Sequence, residues 1–134
     1  IGPKLYEAFA LPFQKRLISG IKAMGVPVKL HICGDIGPVL PLVMQTGANM
    51  IDLDHMVDMG KAAQMAASVG ACVCGNFDPV SVLLQGTPED VRAATLECIQ
   101  LGGATGIIAA GCEVPRNTPE ENLLMVYETL AALG

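Results

Sequence analysis

Two kinds of segment alternate along the chain, and their hydrophobic patterns distinguish them. Short runs rich in β-branched residues carry almost no charge, which is typical of strands that are covered on both faces. The longer segments between them repeat apolar residues every three or four positions, as amphipathic helices do. The alternation predicts a parallel α/β sheet with four strands, at Val28–Ile32, Met50–Leu53, Ala71–Gly75 and Gly106–Ala110.

The helical segments are expected before, between and after these strands. The first covers Lys4–Met24, and Pro12 can kink it. Further helices are predicted at 38–45, 59–69 and 88–101, with a short helical turn after Pro79 and a last helix that ends near Ala132. Apolar stripes run along the first helix (Leu5, Phe9, Phe13, Leu17 and Ile21) and along the last, where Leu123, Tyr127 and Leu130 are expected to face inward.

Two of the predicted helices begin with the same pattern, Thr87-Pro88-Glu89-Asp90 and Thr118-Pro119-Glu120-Glu121. Threonine can accept a hydrogen bond from a free N–H group of the first turn, and proline suits the first helical position. Acidic residues there are attracted to the positive end of the helix dipole. Both threonines are therefore predicted to be helix caps.

Length and composition agree with one α/β domain over residues 1–134. Apolar residues make up 51% of the chain and charged residues 16%, a balance that can bury a core. The longest uncharged stretches are interrupted by glycine and are shorter than the about 20 residues of a membrane-spanning helix. No membrane span is expected. Four strands with helices form half of a closed eight-stranded barrel, and an open four-stranded sheet is the alternative.

The charge and the cysteines narrow the function classes. Thirteen acidic residues against eight basic ones give a net charge of −5, which argues against binding to nucleic acid. A chain this apolar does not need disulfides, and an odd number of cysteines favours a reducing cytoplasm. The five are Cys33, Cys72, Cys74, Cys98 and Cys112.

A candidate metal site begins with His31-Ile32-Cys33 at the end of the first predicted strand. Alternation places His31 and Cys33 on the same face, where they could serve as zinc ligands. A lone His-x-Cys is more often a buried histidine beside a small apolar cysteine. Cys112 at the corresponding end of the last strand favours the metal, because three such ligands on one rim match a catalytic Zn²⁺ with one open position.

Polar residues that follow the second and third strands are further candidates. Asp54, Asn76 and Asp78 are predicted to take part in catalysis, and Asp52 and His55 to orient ligands or substrate. The alternative for Asn76 and Asp78 is that their side chains only cap the next turn. For His55 it is an ordinary loop histidine. Packing is the expected role of Cys72, Cys74 and Cys98.

Motifs along nearly the whole chain carry a family resemblance. They are His31-x-Cys33-Gly34, Gly75-Asn76-x-Asp78-Pro79, Gly86-Thr87-Pro88-Glu89-x-Val91 and Gly111-Cys112-x-x-Pro115-x-x-Thr118-Pro119-x-x-Asn122. Together they resemble the C-terminal half of the uroporphyrinogen decarboxylase superfamily. The Gly-Asn-x-Asp-Pro motif is shared by the superfamily, whereas His-x-Cys with the later Gly-Cys resembles its zinc-dependent corrinoid methyltransferase branch.

This resemblance implies the last four strands of a (β/α)₈ TIM barrel, with His31, Cys33 and Cys112 holding Zn²⁺. The implied reaction moves a methyl group between a corrinoid (methylcobamide), which is carried by a separate partner protein, and a thiol such as coenzyme M or another methyl donor or acceptor. In the decarboxylases a histidine stands at the Cys112 position and the His-x-Cys pair is missing, which favours methyl transfer. A uroporphyrinogen decarboxylase-like enzyme and a half-barrel without catalysis of its own are the alternatives.

Two expectations concern the half-barrel itself. Open strand edges and an uncovered inner face invite self-association. In a flat sheet, three strand spacings would separate His31 from Cys112 by roughly 14 Å. Barrel-like curvature is therefore required to assemble the predicted metal site.

Overall fold

The fold is a four-stranded parallel sheet, described here by a computed structural model over residues 2–133. Each strand pairs with the next one in the sequence, so that the strand order is β1-β2-β3-β4. The predicted parallel α/β architecture is confirmed, and the predicted strand bounds are within two residues of the observed ones. The strands are β1 (Lys29–Ile32), β2 (Met50–Leu53), β3 (Cys72–Phe77) and β4 (Ile107–Ala110).

Six α-helices precede, connect and follow these strands. They are α1 (Pro3–Phe9), α2 (Leu11–Lys22), α3 (Leu40–Val43), α4 (Met59–Ser68), α5 (Pro88–Gly102) and α6 (Glu120–Ala131). Short 3₁₀ turns occupy Gly37–Val39, Met44–Thr46 and Gly103–Thr105, and a π-helical turn occupies Pro79–Leu84. Within residues 2–133, none of the helices has the length and apolar character that crossing a bilayer requires.

The first helical segment is two helices rather than the one predicted over Lys4–Met24. The helix is interrupted at Ala10, which follows the last residue of α1 and precedes the first residue of α2. Pro12 explains the break, because a proline inside a helix removes one N–H donor and its ring clashes with the carbonyl four residues earlier. At the second position of α2 the same proline is tolerated.

The hydrophobic core lies between the sheet and the helices. Ile51, Leu53 and Val73 point from β2 and β3 toward the helices and are at most 1% exposed. Ala62 of α4 and Val91 of α5 complete this layer and are fully buried. Because side chains alternate along a strand, the residues between these positions face the opposite side of the sheet, which we call the inner face.

Two predicted apolar stripes are exposed. Phe9, Phe13 and Leu17 lie in solvent at 60–68% exposure, and the α1–α2 pair buries Tyr6 and Ile18 instead. Along α6, the prediction that Leu123, Tyr127 and Leu130 face inward is wrong, because α6 buries Asn122 and Thr129 and leaves these three residues 38–70% exposed. Periodicity identifies an apolar face, but it does not identify which face the neighbouring helix covers.

The two similar helix starts have different structures. At α5, the Thr87 hydroxyl accepts a hydrogen bond from the Asp90 N–H at 3.3 Å, and the Asp90 carboxylate accepts one from the Thr87 N–H at 2.9 Å. This is the predicted cap. The prediction that Thr118 caps α6 is wrong, because the Thr118 hydroxyl donates to the Pro115 carbonyl at 2.8 Å and α6 begins only at Glu120. A tight turn after Pro115 engages the threonine before the helix starts.

Candidate metal centre

Three candidate ligands meet at the carboxyl ends of β1 and β4. Cys33 Sγ lies 3.2 Å from His31 Nε2 and 3.9 Å from Cys112 Sγ. One ligand atom from each of the three residues lies within 4.8 Å of the other two. A tetrahedral zinc with bonds of about 2.0–2.3 Å holds its ligand atoms roughly 3.5 Å apart, so small side-chain adjustments would accommodate the ion. The donors are one imidazole and two thiols, which suit Zn²⁺.

The sheet is curved enough to bring its outer strands together at this rim. His31 and Cys112 belong to strands that a flat sheet would hold roughly 14 Å apart. Gly111 allows the end of β4 to approach β2, since a Cβ atom there would collide with the His55 backbone and lie 3.0 Å from the Asn76 carbonyl oxygen. The Gly111 N–H also donates to the Phe77 carbonyl at 2.8 Å. The three candidate ligands therefore lie together on one rim.

His31 is held from the side opposite the thiols. Its Nδ1 lies 3.1 Å from the Asp52 carbonyl oxygen and 3.7 Å from the Asp52 carboxylate. A carbonyl can only accept a hydrogen bond, so this contact favours the proton on Nδ1, which leaves the lone pair of Nε2 for a metal. The Asp52 carboxylate accepts a hydrogen bond from Lys29 Nζ at 2.8 Å, and this contact raises the pKa of Lys29.

The two rim thiols are electrostatically coupled. The hydrogen bond and charge of Cys112 raise the pKa of Cys33, and partial desolvation and the Asp54 carboxylate act in the same direction. Two thiolates at this separation repel each other unless a cation lies between them. The raised pKa keeps Cys33 protonated in the metal-free chain, so a metal ion that binds here has to displace this proton.

Asp54 holds the loop that carries Cys33. Its carboxylate is 7% exposed and accepts hydrogen bonds from the Gly34 N–H at 2.8 Å and the Met56 N–H at 3.1 Å. Burial alone would raise the pKa of Asp54, but these two N–H donors and the nearby His55 outweigh it and lower the pKa. Asp54 is therefore an ionised anchor for the turn at Gly34.

Asn76 joins the ends of β2 and β3. Its side-chain amide donates to the Asp54 carbonyl at 3.0 Å and to the Val57 carbonyl at 2.7 Å. Its own N–H donates to Cys98 Sγ at 3.5 Å. Asn76 is 8% exposed, so these contacts satisfy a buried polar side chain and fix the loop after β2.

Asp78 and His55 complete the rim. The Asp78 carboxylate accepts a hydrogen bond from the Val80 N–H at 2.8 Å, as the capping alternative predicts. Burial would raise the pKa of Asp78, but hydrogen bonds from Ser81 and Val80 and the nearby His55 lower it. His55 lies between two carboxylates, with Nδ1 3.0 Å from Asp54 and Nε2 3.9 Å from Asp78.

Sequence reasoning missed one charged neighbour of this site. Lys29 lies two residues before His31, on the same face of β1, and contacts Asp52 on the adjacent strand. The sequence did offer a signal, because two residues that are two positions apart on a strand face the same side of the sheet. Lys29 also lines an open cleft of about 390 Å³ beside the candidate metal ligands, together with His31, Asp52, Ala109, Ala110, Cys112, Glu113 and Val114.

The remaining cysteines are packing or hydrogen-bonding residues. Cys74 is buried on the inner face, where desolvation, followed by the negative charge of Asp52, raises its pKa to about 11. Cys98 is buried in the core beneath Asn76, and desolvation raises its pKa. Cys72 donates to the Asn49 carbonyl at 3.7 Å.

Comparison with known proteins defines the class. The model of the uroporphyrinogen decarboxylase (URO-D) family matches residues 1–133, so the chain belongs to this family. A solved structure described as a methyltransferase from Methanosarcina mazei has a TM-score of 0.88 and 21% sequence identity, over 99% of this chain and 38% of that one. At this identity the match establishes the fold, which is four of the eight strands of a TIM barrel.

Two kinds of curated relative are similar in sequence. The chain is 40% identical over 128 residues to the methylcobamide:CoM methyltransferase MtbA of Methanosarcina mazei, covering 96% of this chain and 37% of the relative. It is 38% identical over 133 residues to a uroporphyrinogen decarboxylase of a Synechococcus species, covering 97% of this chain and 35% of the relative. The chain thus spans little more than a third of the length of these relatives.

Proposed function

We propose that the chain is the metal-binding part of a zinc-dependent methyltransferase, which moves a methyl group between methylcobamide and a thiol such as coenzyme M. The observation that carries this proposal is the convergence of His31, Cys33 and Cys112 within 4.8 Å. Similarity to the relatives named methylcobamide:CoM methyltransferase supports the same chemistry. The corrinoid would arrive on a partner protein.

Each residue of the centre has a definite task in this proposal. Bound zinc would act as a Lewis acid. It would lower the pKa of a substrate thiol, so that the thiolate is available near neutral pH. His31 offers Nε2 because its Nδ1 proton is engaged by the Asp52 carbonyl, and Cys33 and Cys112 offer sulfur. The open cleft beside them gives a small substrate access to the centre.

Four polar residues of the rim surround this centre. Asp54 and Asn76 act as positioning residues, since one anchors the Gly34 turn and the other holds the loop after β2. Asp78 and His55 face the rim with an ionised carboxylate and an imidazole. Both line a neighbouring cleft with Asn76, not the cleft beside the candidate ligands, and His55 contacts the anchoring Asp54 carboxylate.

A second candidate function is decarboxylation of a tetrapyrrole, favoured by the 38% identity to uroporphyrinogen decarboxylases. That reaction needs no metal, whereas the proposed transfer does. A third possibility is that this chain has no turnover of its own. A methyl-transfer assay separates the third possibility from the first. It compares this chain with a protein that has the full length of the relatives and carries the same residues.

The decisive measurement is the zinc content of the purified chain by mass spectrometry. We expect about one zinc per chain in the wild type and a large loss in Cys112→Ala. Cys72→Ala is the matched control, because it removes a thiol at the first residue of β3, the end of the strand opposite the rim, where it contacts the Asn49 carbonyl. Full zinc occupancy in Cys112→Ala, or none in the wild type, would contradict the proposal.

A further inference from the structure

The two nitrogens of the His31 ring face different surroundings. Nε2 faces the Cys33 thiol at 3.2 Å, and Nδ1 faces Asp52, which is the residue opposite His31 in the β1–β2 register. Asp52 presents both its carbonyl oxygen and its carboxylate to Nδ1, at 3.1 and 3.7 Å. Two acceptors therefore lie on one side of the ring and the proposed ligands on the other.

The Asp52 carboxylate is balanced by a single cation. Its side chain is only 13% exposed, and Lys29 Nζ contacts it at 2.8 Å from the same face of the sheet. The pair has no net charge, so it places an acceptor beside Nδ1 without adding a net charge to the centre. Removal of either partner would leave the other unpaired a few ångströms from the ring.

We infer that Asp52 and Lys29 are positioning residues for His31, a charge-balanced pair that keeps the ring proton on Nδ1 and directs Nε2 toward Cys33 and Cys112. The inference rests on the proposed metal centre and adds two residues to it. Substitution of Asp52 by asparagine leaves the Lys29 ammonium uncompensated near Nδ1, which disfavours a proton there. The backbone carbonyl at position 52 still accepts from Nδ1–H, so the tautomer equilibrium shifts in part toward Nε2–H, and in that fraction of chains the ligand atom is blocked.

The tautomer can be observed without any metal. The chain contains two histidines, so a ¹⁵N-histidine NMR spectrum contains two sets of ring signals, and His55→Gln assigns them. At about pH 8, above the usual histidine pKa of about 6.5, the wild type is expected to hold His31 as the Nδ1–H form. Asp52→Asn should shift His31 toward Nε2–H, and Lys29→Met should not.

The double variant Lys29→Met/Asp52→Asn gives the sharpest test. It restores the charge balance, so the Nδ1–H form should return at least in part, which a purely structural role of Asp52 would not produce. Glu113→Gln is the control, because it removes one carboxylate from the same cleft at a position outside the His31 contacts. It should leave the tautomer unchanged.

Metal affinity supplies a second readout. Titration with Co²⁺ should show binding that is roughly 10–100-fold weaker in Asp52→Asn, as is typical when a partner of a ligating histidine is lost, with partial recovery in the double variant. An Asp52→Asn variant with wild-type tautomer and affinity, or a double variant no better than Asp52→Asn, would overturn the inference and leave the proposed function standing. A wild type that binds no Co²⁺ or Zn²⁺ would overturn both.

Discussion

The two faces of this sheet carry different kinds of residue. On the helix-facing side, β2 and β3 present Ile51, Leu53 and Val73, all of them almost completely buried. On the inner face the same strands present Asp52 and Cys74, in one row with His31 of β1. Because side chains alternate, a single strand can supply core packing on one side and candidate chemistry on the other.

The residues on one face contribute mainly to the stability of the fold, and those on the other face carry the candidate chemistry. The helix-facing residues are apolar and pack against α4 and α5, so their contribution to the free energy of unfolding is that of a hydrophobic core. The inner row is polar, and its Asp52 pairs with the half-exposed Lys29, an ion pair that contributes little to stability because water screens it. Substitutions on the two faces should therefore have opposite consequences for folding and for metal binding.

The largest expected effect is on the helix-facing side. Leu53→Ala should lower the free energy of unfolding by about 2–5 kcal/mol, because it removes a fully buried side chain and leaves a cavity. In the metal-free chain, His31→Ala on the inner face should cost about 0.5–1.5 kcal/mol, since the two hydrogen bonds lost are a part-buried one to the Asp52 carbonyl and an exposed one to the Cys33 thiol. Urea unfolding followed by circular dichroism, with a chelator present, measures both values. Equal losses would show that the two faces are not separated in this way.

An intermediate effect is expected at Asn76, a buried polar residue near the carboxyl end of β3. Asn76→Ala leaves the Asp54 and Val57 carbonyls without their side-chain donor in a buried environment, which should cost about 1–3 kcal/mol. The loop after β2 also contacts the turn that carries the candidate ligand Cys33, through the Asp54–Gly34 hydrogen bond, so Co²⁺ affinity should fall as well. Thr129→Ala serves as the control, because this buried polar residue of α6 donates only to its own helix. Loss of stability without any change in Co²⁺ affinity would confine Asn76 to the fold.

The sequence predicted the elements of this comparison but not all of their surroundings. Alternation and β-branched runs gave β2 at its observed bounds and placed the three candidate ligands at one rim. The curvature that closes the distance from His31 to Cys112 depends on a close approach at Gly111, and a glycine in a strand-end motif does not reveal which backbone it meets.

The predictions that failed have two physical origins. The break at Ala10 follows from a proline that can either kink a helix or begin a new one, and the sequence permits both. The exposure of Phe13 and Tyr127 and the Thr118 turn depend on neighbouring elements rather than on local pattern. Lys29 was missed because its partner, Asp52, lies on another strand.

The smallest expected effect is a pH dependence of stability that originates at Asp54, whose carboxylate anchors the turn that carries Cys33. The pKa of Asp54 is lowered in the folded chain, because the Gly34 and Met56 N–H groups and His55 favour the ionised form more than burial disfavours it. The unfolded chain therefore binds more protons than the folded chain around the ordinary aspartate pKa of about 3.9, so that stability rises with pH there. The contribution is fully present above that value and is lost as the pH falls through the lower, folded-state pKa.

Urea unfolding of the metal-free wild type and of Asp54→Asn, between about pH 6 and pH 2.5, measures this contribution. The wild type should lose stability more steeply with acidification, and the difference between the two chains should shrink toward the acid end, where the wild-type carboxyl is also protonated. Parallel pH profiles would mean that the Asp54 carboxylate is no better stabilised in the fold than in the unfolded chain. The anchor for the Cys33 turn would then have to lie in the Gly34 backbone itself, whose φ of +82° already restricts that position to glycine.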